Sequence, residues 1–161
     1  MGRKRIQPTA EEIEQIGINP FVNETFTIQV QKRTDKSTFK RDKDGLLIPK
    51  EYDQEIQEST RVYKSPDARL RVALLSSASR ALLLWIMYEL EPAQDYVVIN
   101  RQRYMAEHQL KTDKAIKEAM FDLARYQFIT PTILQDVYWI NPRLLFSGSR
   151  IQKYPKNIEY K

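Results

Sequence analysis

Residues 96–140 read YVVINRQRYMAEHQLKTDKAIKEAMFDLARYQFITPTILQDVYWI, and this stretch decides the fold. Tyr96-Val97-Val98-Ile99 are four strand formers in a row. Asn100 follows, a side chain suited to accept from the free N–H groups of a helix start. It predicts a helix to about residue 108, with Tyr104 and Met105 turned inward. Gln109-Leu110-Lys111 is a short break, and Thr112 is placed to cap a second helix reaching about residue 126. Ile116, Ala119, Met120 and Leu123 recur at three- and four-residue spacing, so they share one face and leave Asp113, Lys114, Lys117 and Glu118 outward. Residues 129–134 and 137–140 are β-rich runs separated by Gln135-Asp136, which reads as a hairpin with a short loop.

Upstream, Pro66-Asp67 predicts a long helix running to about residue 90. Proline suits a first turn, and an early acid complements the positive helix end. Leu70, Val72, Leu74, Leu75, Ala78, Leu82, Leu83, Trp85, Ile86 and Leu90 cover more than one stripe. Such a helix is either central to its domain or shared with a second copy of the chain. Ser76-Ser77-Ala78-Ser79 is a small patch that lets another backbone come close, and Pro92 stops the helix.

The order helix, strand, helix, turn, helix, hairpin is that of a winged helix-turn-helix in an α+β chain. In that geometry the second helix enters the major groove of DNA while the preceding one crosses the phosphates. Lys111, Thr112, Lys114 and Lys117 stand on the leading turns of the second helix, where donors are needed. Arg101, Arg103, Arg143 and Arg150 complete the candidate DNA contacts. Lysines on a helix are ordinarily just a solvated face; their concentration at its start is what favours contact. The hairpin tip Gln135-Asp136 is not basic, so the wing would only brush the backbone. Gln109 occupies the position where many such turns place glycine for a positive φ. A glutamine there costs ~1 kcal/mol or forces a different turn.

The first third is less legible. Thr9-Ala10-Glu11-Glu12 has capping-box spacing and predicts a short helix to residue 15, ended by Gly17. Residues 21–32 alternate, with Phe26, Ile28 and Val30 on one face, and predict a half-buried strand. The polar run 32–45 reads as a long loop ending in the turn dipeptide Asp44-Gly45. Residues 46–48 and 60–64 are candidate returning strands of a small antiparallel sheet. The chain thus divides into an N-terminal extension (1–65), a winged-helix domain (66–146) and a basic tail (147–161). In that tail Tyr154 and Tyr160 among Lys153, Lys156 and Lys161 could stack bases and grip phosphates, or remain disordered until a partner orders them.

Composition narrows the chemistry. Among 161 residues there is no Cys and a single His, His108. That excludes a disulfide framework, a cysteine nucleophile, thiolate metal sites and multi-histidine metal sites. The four glycines are isolated, so no phosphate-cradling Gly-rich loop exists. Glu11, Glu12 and Glu14 read as a helix face, Asp42 and Asp44 as a loop, and His108 as a cap rather than a base. Trp85 and Trp139 read as core. The expectation is a binder without catalytic residues, metal, cofactor or small-molecule substrate. The most apolar stretch, 81–88, is far shorter than the ~20 residues of a spanning helix. No targeting segment is read in the basic start Arg3-Lys4-Arg5, and the expected compartment is the cytoplasm of a bacterial host.

Net charge is +5, and it is uneven. Residues 1–94 carry 15 basic and 14 acidic side chains; residues 95–161 carry 11 and 7. The polyanion-facing surface is therefore expected in the second part.

The segment Tyr138-Trp139-Ile140-Asn141-Pro142-Arg143-Leu144-Leu145-Phe146-Ser147-Gly148-Ser149-Arg150 resembles the end of the wing in RepL-type plasmid replication proteins. There an Ile-Asn-Pro strand exit is followed by an apolar aromatic pair and a Gly-polar-Arg step. The resemblance spans about residues 66–155. It implies a winged-helix protein that binds double-stranded DNA in replication initiation or copy control of a plasmid or plasmid-like phage. A transcriptional regulator, or a structural or assembly protein such as a virion component, is the alternative, because winged helices also serve as protein adaptors. A homodimer through the helix at 66–90 fits either role. Residues 18–65 do not match the family's pattern.

Overall fold

Thr9 accepts from Glu12 N at 3.2 Å while the Glu12 carboxylate accepts Thr9 N–H at 2.9 Å. This reciprocal box starts the first helix, α1 (Ala10–Ile16), and Gly17 ends it at φ +78°. A computed structural model describes residues 7–56, 59–60 and 62–161; the basic start Arg3-Lys4-Arg5 lies outside them. After α1 come β1 (Ile28–Arg41), β2 (Leu47–Glu55), β3 (Ser59–Thr60), β4 (Val62–Tyr63), α2 (Pro66–Leu74) and α3 (Ser77–Glu89). β5 (Tyr96–Val98), α4 (Arg101–Glu107), α5 (Lys114–Arg125), β6 (Ile129–Pro131) and β7 (Val137–Ile140) follow. The chain closes with α6 (Arg150–Lys153), a single 3-10 turn at Pro155–Asn157 and β8 (Ile158–Tyr160). The architecture is α+β.

Antiparallel strands in the order β5-β7-β6 form one sheet, with Tyr96 opposite Trp139 and Ile129 opposite Ile140. Alternation sends Val97, Ile129 and Ile140 into the main core with Leu82, Ile86, Ile116 and Leu123 of α3 and α5. Tyr96, Val137 and Trp139 face the other way and are covered by Ile13 and Ile16 of α1 together with Phe21. Both faces of this sheet are therefore buried. Asn19 fastens the cover, donating from Nδ2 to Ile140 O at 2.8 Å and Asp95 O at 3.3 Å. Trp85 and Trp139 are both buried.

Three expectations need correction. The helix over 66–90 is two helices. Leu75 turns extended (φ −69°, ψ 145°), which carries its side chain into the core, and Ser76 restarts the chain by accepting from Ser79 N at 3.2 Å. Arg80 reaches back to the carbonyls that end α2, Val72 at 3.2 Å and Ala73 at 2.8 Å. The small patch serves close approach within the chain: Ser79 Oγ donates to Asp122 of α5 at 2.6 Å.

Residues 32–41 are not a loop. They extend β1, which pairs with β2 from Val30↔Glu55 out to Arg41↔Leu47. Because both faces beyond Gln31 are in solvent, hydrophobic alternation carries no signal there. Local polar bonds shape the ribbon instead. Asp35 accepts from Ser37 N, Ser37 Oγ and Thr38 Oγ1 and closes a bulge at 36–38. Asp42 accepts from the amides of Asp44 and Leu46 and closes the tip, where Gly45 stands at φ +79°.

The third correction concerns the tail, which is folded onto the body. β8 pairs in parallel with β1, Ile28 opposite Ile158. Tyr154 is buried edge-on against Phe26, ring centroids 5.5 Å apart, and its hydroxyl donates to Asp95 at 3.1 Å. Burial, with the Asp95 carboxylate beside it, pushes the Tyr154 phenol far above its ordinary range. Neither Tyr154 nor its ring face is available to a nucleobase.

Candidate nucleic-acid interface

Helix α4 starts where Asn100 accepts Arg103 N–H at 3.0 Å. It ends with Gln109 N donating to Ala106 O (3.3 Å) and Leu110 N to Met105 O (2.9 Å). This pair of bonds requires a left-handed residue between them, and Gln109 supplies it at φ +53°. The missing glycine therefore does not change the turn; glutamine takes the strained conformation. α5 ends identically, with Gln127 at φ +61°, Gln127 N to Ala124 O and Phe128 N to Leu123 O. Here neighbours add support: Arg71 donates to Tyr126 O and to Gln127 Oε1, and Asn141 Nδ2 donates to Gln127 O.

Thr112 does not cap α5. The N-cap is Asp113, with no side-chain cap bond; its carboxylate instead pairs with Lys117 at 2.6 Å. The hydrogen bond from Lys117 holds the Asp113 carboxyl below its usual range. Residues one turn apart on a helix compete for the same carboxylate, and the lysine wins it. Along α5, Ile116, Ala119, Met120 and Leu123 are buried, as their spacing requires. Lys111, Thr112, Lys114 and Lys117 are exposed beside Asp113 and Glu118, the last 4.0 Å from Lys114. Phe121 also stands out from this helix, 72% exposed, and hydrophobic spacing alone gave no reason to single it out. A shallow groove of about 490 Å³ lies beside it, lined by Ser76, Ser79, Ala115, Lys117 and Phe121.

The arginines separate into three kinds. Arg143 is exposed just past β7. Arg101 lies 3.8 Å from Asp136 and ties the start of α4 to the β6–β7 loop. Arg103 sits between Glu89 (2.9 Å) and Glu107 (2.7 Å) and over the Trp85 ring, so its charge is spent joining α4 to α3. Arg150 is a correction. Its side chain is 3% exposed, bonded to Glu55 at 2.6 Å and to Pro142 O at 2.9 Å, and it lies 3.5 Å from the Tyr63 ring centre. A guanidinium held this way cannot reach a phosphate. It joins the segment after β7 to the foot of β2.

The Asn-Pro step after β7 is structural too. Asn141 N donates to Phe128 O at 2.9 Å, and Asn141 O accepts from Leu144 and Leu145. Gly148 adopts φ +91° at a place where a Cβ would meet Ala93 N at 3.0 Å. His108 stacks on Tyr104 at 4.0 Å, with Nδ1 3.0 Å from Tyr104 O. Among the described residues no group of three or more His, Cys, Asp or Glu is placed to hold a metal ion, and no helix is long and apolar enough to cross a membrane. Comparison with protein-family models, with curated proteins and with solved structures returned no match to this chain.

Proposed function

We propose that the chain is a sequence-specific double-stranded DNA-binding protein of the winged helix-turn-helix class. In this reading α5 is the recognition helix, α4 the helix that crosses the phosphates, and β6–β7 the wing. The observation that carries it is the leading edge of α5. Lys111, Thr112, Lys114 and Lys117 are exposed together, at the start of a helix whose opposite face is fully buried. The left-handed turn at Gln109 and the sheet order β5-β7-β6 support it, since they fix α5 relative to the hairpin. A role in replication initiation or copy control of a plasmid or phage rests on the resemblance of residues 138–150 to RepL-type proteins. A bacterial cytoplasmic location goes with it.

Binding to duplex DNA, measured by fluorescence anisotropy over a range of salt, tests the reading. Log K is expected to fall linearly with log [salt], and Lys114→Ala with Lys117→Ala to reduce the slope by about 1 each. Unchanged binding in the double variant would remove α5 as the reading element.

A second reading has its own observation. Leu84 and Tyr88 on α3 and Leu70 and Leu74 on α2 are large apolar side chains more than half exposed. These favour a protein contact, with a second copy of the chain as partner, and suit either a dimeric DNA binder or an assembly protein. Sedimentation without DNA separates the two: a large stable oligomer lacking DNA affinity supports assembly.

A further inference from the structure

The β1–β2 ribbon is the one large feature that the α5 reading leaves without a role. β8 pairs with β1 over Ile28–Val30 and its Tyr160 reaches Lys32 and Asp53, so from Arg33 outward the ribbon has two strands and, among the described residues, no third layer. Counted along β2 from Asp53 to Leu47, it extends about 20 Å past its base. A bare two-stranded ribbon of this kind has little stability of its own, because it buries no apolar face.

Its charge is directional. Residues 32–52 contain seven Lys or Arg and four Asp or Glu. Of the acids, Asp35 is turned onto the Ser37 and Thr38 hydroxyls and Asp42 onto the amides of the tip. Lys36, Lys40, Lys43 and Lys50 are exposed and form no ion pair among the described residues. Two of the four acids are thus consumed in shaping the ribbon, Asp44 and Glu51 stay exposed, and the cations outnumber them. Cross-strand pairs sort the faces: Arg33 with Tyr52, Asp35 with Lys50 and Lys40 with Ile48 share one side. That side carries Arg33, Lys40 and Lys50 around the Tyr52 ring, with Asp35 and Ile48 among them, while Lys36 stands in the bulge and Lys43 in the tip. Phe39, Pro49 and Leu47 lie on the other side together with Arg41 and Glu51.

We propose that this ribbon is a second contact with duplex DNA, an arm that lies along the phosphates or in a groove through Lys36, Lys40, Lys43 and Lys50. The proposal rests on α5 as the recognition helix and extends the footprint beyond it. Dimensions agree, since the ~12 Å major groove accepts a two-stranded ribbon. Charge sign selects the occupant: seven cations against four acids, two of those acids already turned inward, leave the ribbon a net positive surface that fits a polyanion better than an ordinary protein surface.

The test uses the full chain with Lys36, Lys40, Lys43 and Lys50 all changed to Ala, checked for fold by circular dichroism. Binding to a selected duplex and to random-sequence duplex is measured against salt, with hydroxyl-radical footprinting. The expected result is a salt slope lower by about 2–4, a shorter footprint and an unchanged preference for the selected sequence. Unchanged slope and footprint, with the α5 variants still weakening binding, would overturn the arm and leave the α5 reading standing. A change in sedimentation mass without a change in slope would also overturn it and make the ribbon a protein contact. Absence of duplex binding by the wild-type chain would remove both.

Discussion

Two hairpins in this molecule are held in opposite ways. The short β6–β7 hairpin is gripped from both sides: Ile129 and Ile140 face the main core, Val137 and Trp139 the smaller cluster under α1. The long β1–β2 ribbon is gripped only at its foot, where Ile28 and Val30 are buried, and past that point every residue is at least partly in water. Burial fixes the first; hydrogen bonds and charge fix the second. A sheet that buries both faces gains most of its stability from apolar area. A solvated ribbon depends on short-range polar bonds, each worth about 1 kcal/mol or less net.

The largest effect expected from this contrast is in the core. Phe128 is fully buried behind the β6–β7 hairpin, and Phe128→Ala should cost about 3–5 kcal/mol in urea unfolding. Phe39, half exposed on the ribbon, should cost no more than about 0.5 kcal/mol as Phe39→Ala. Comparable losses would mean that the ribbon is packed against something. A smaller effect of opposite sign belongs to the turn between α4 and α5: Gln109→Gly should stabilise by about 0.5–1 kcal/mol by relieving the left-handed strain. Gln127→Gly should gain less, because it also loses the bond from Arg71.

The smallest effect is local to the ribbon. Hydrogen bonds from the Ser37 and Thr38 hydroxyls hold the half-buried Asp35 carboxyl down to about 2. A folded pKa below the unfolded one, about 3.9, means the bulge is favoured above that range and released as pH falls through about 2. The Ser37 amide resonance should titrate with a midpoint near 2. A midpoint near 4 would show Asp35 free and the bulge open.

Much of the second half of the chain was legible because its signals are local. Asn100 caps within three residues, and Ile116 to Leu123 show their face by spacing alone. The capping box at Thr9 is equally short-range. What stayed hidden depends on distant partners. No glycine or proline announces the break at Leu75; it is held by Arg80 and by the Asp122 carboxylate 43 residues away from Ser79. The outer ribbon has no buried face to write a pattern into residues 33–41. Arg150 reads as a free cation until Glu55, 95 positions earlier, is seen beside it. Of the candidate interface, the exposed lysines of α5 were legible from helical spacing, whereas Arg103 and Arg150 were not separable from them by sequence.

Arg150 has a mechanical consequence. Glu55 is the final residue of β2 and sits opposite Val30, the last β1 residue that β8 covers, so the guanidinium holds the ribbon at its pivot. The arm beyond that pivot is a lever: a tilt of about 10° at the foot would displace the tip by roughly 3–4 Å over its ~20 Å length. Arg150, wedged between Glu55 and the Tyr63 ring, sets the direction in which the ribbon leaves the body while itself staying buried at the foot.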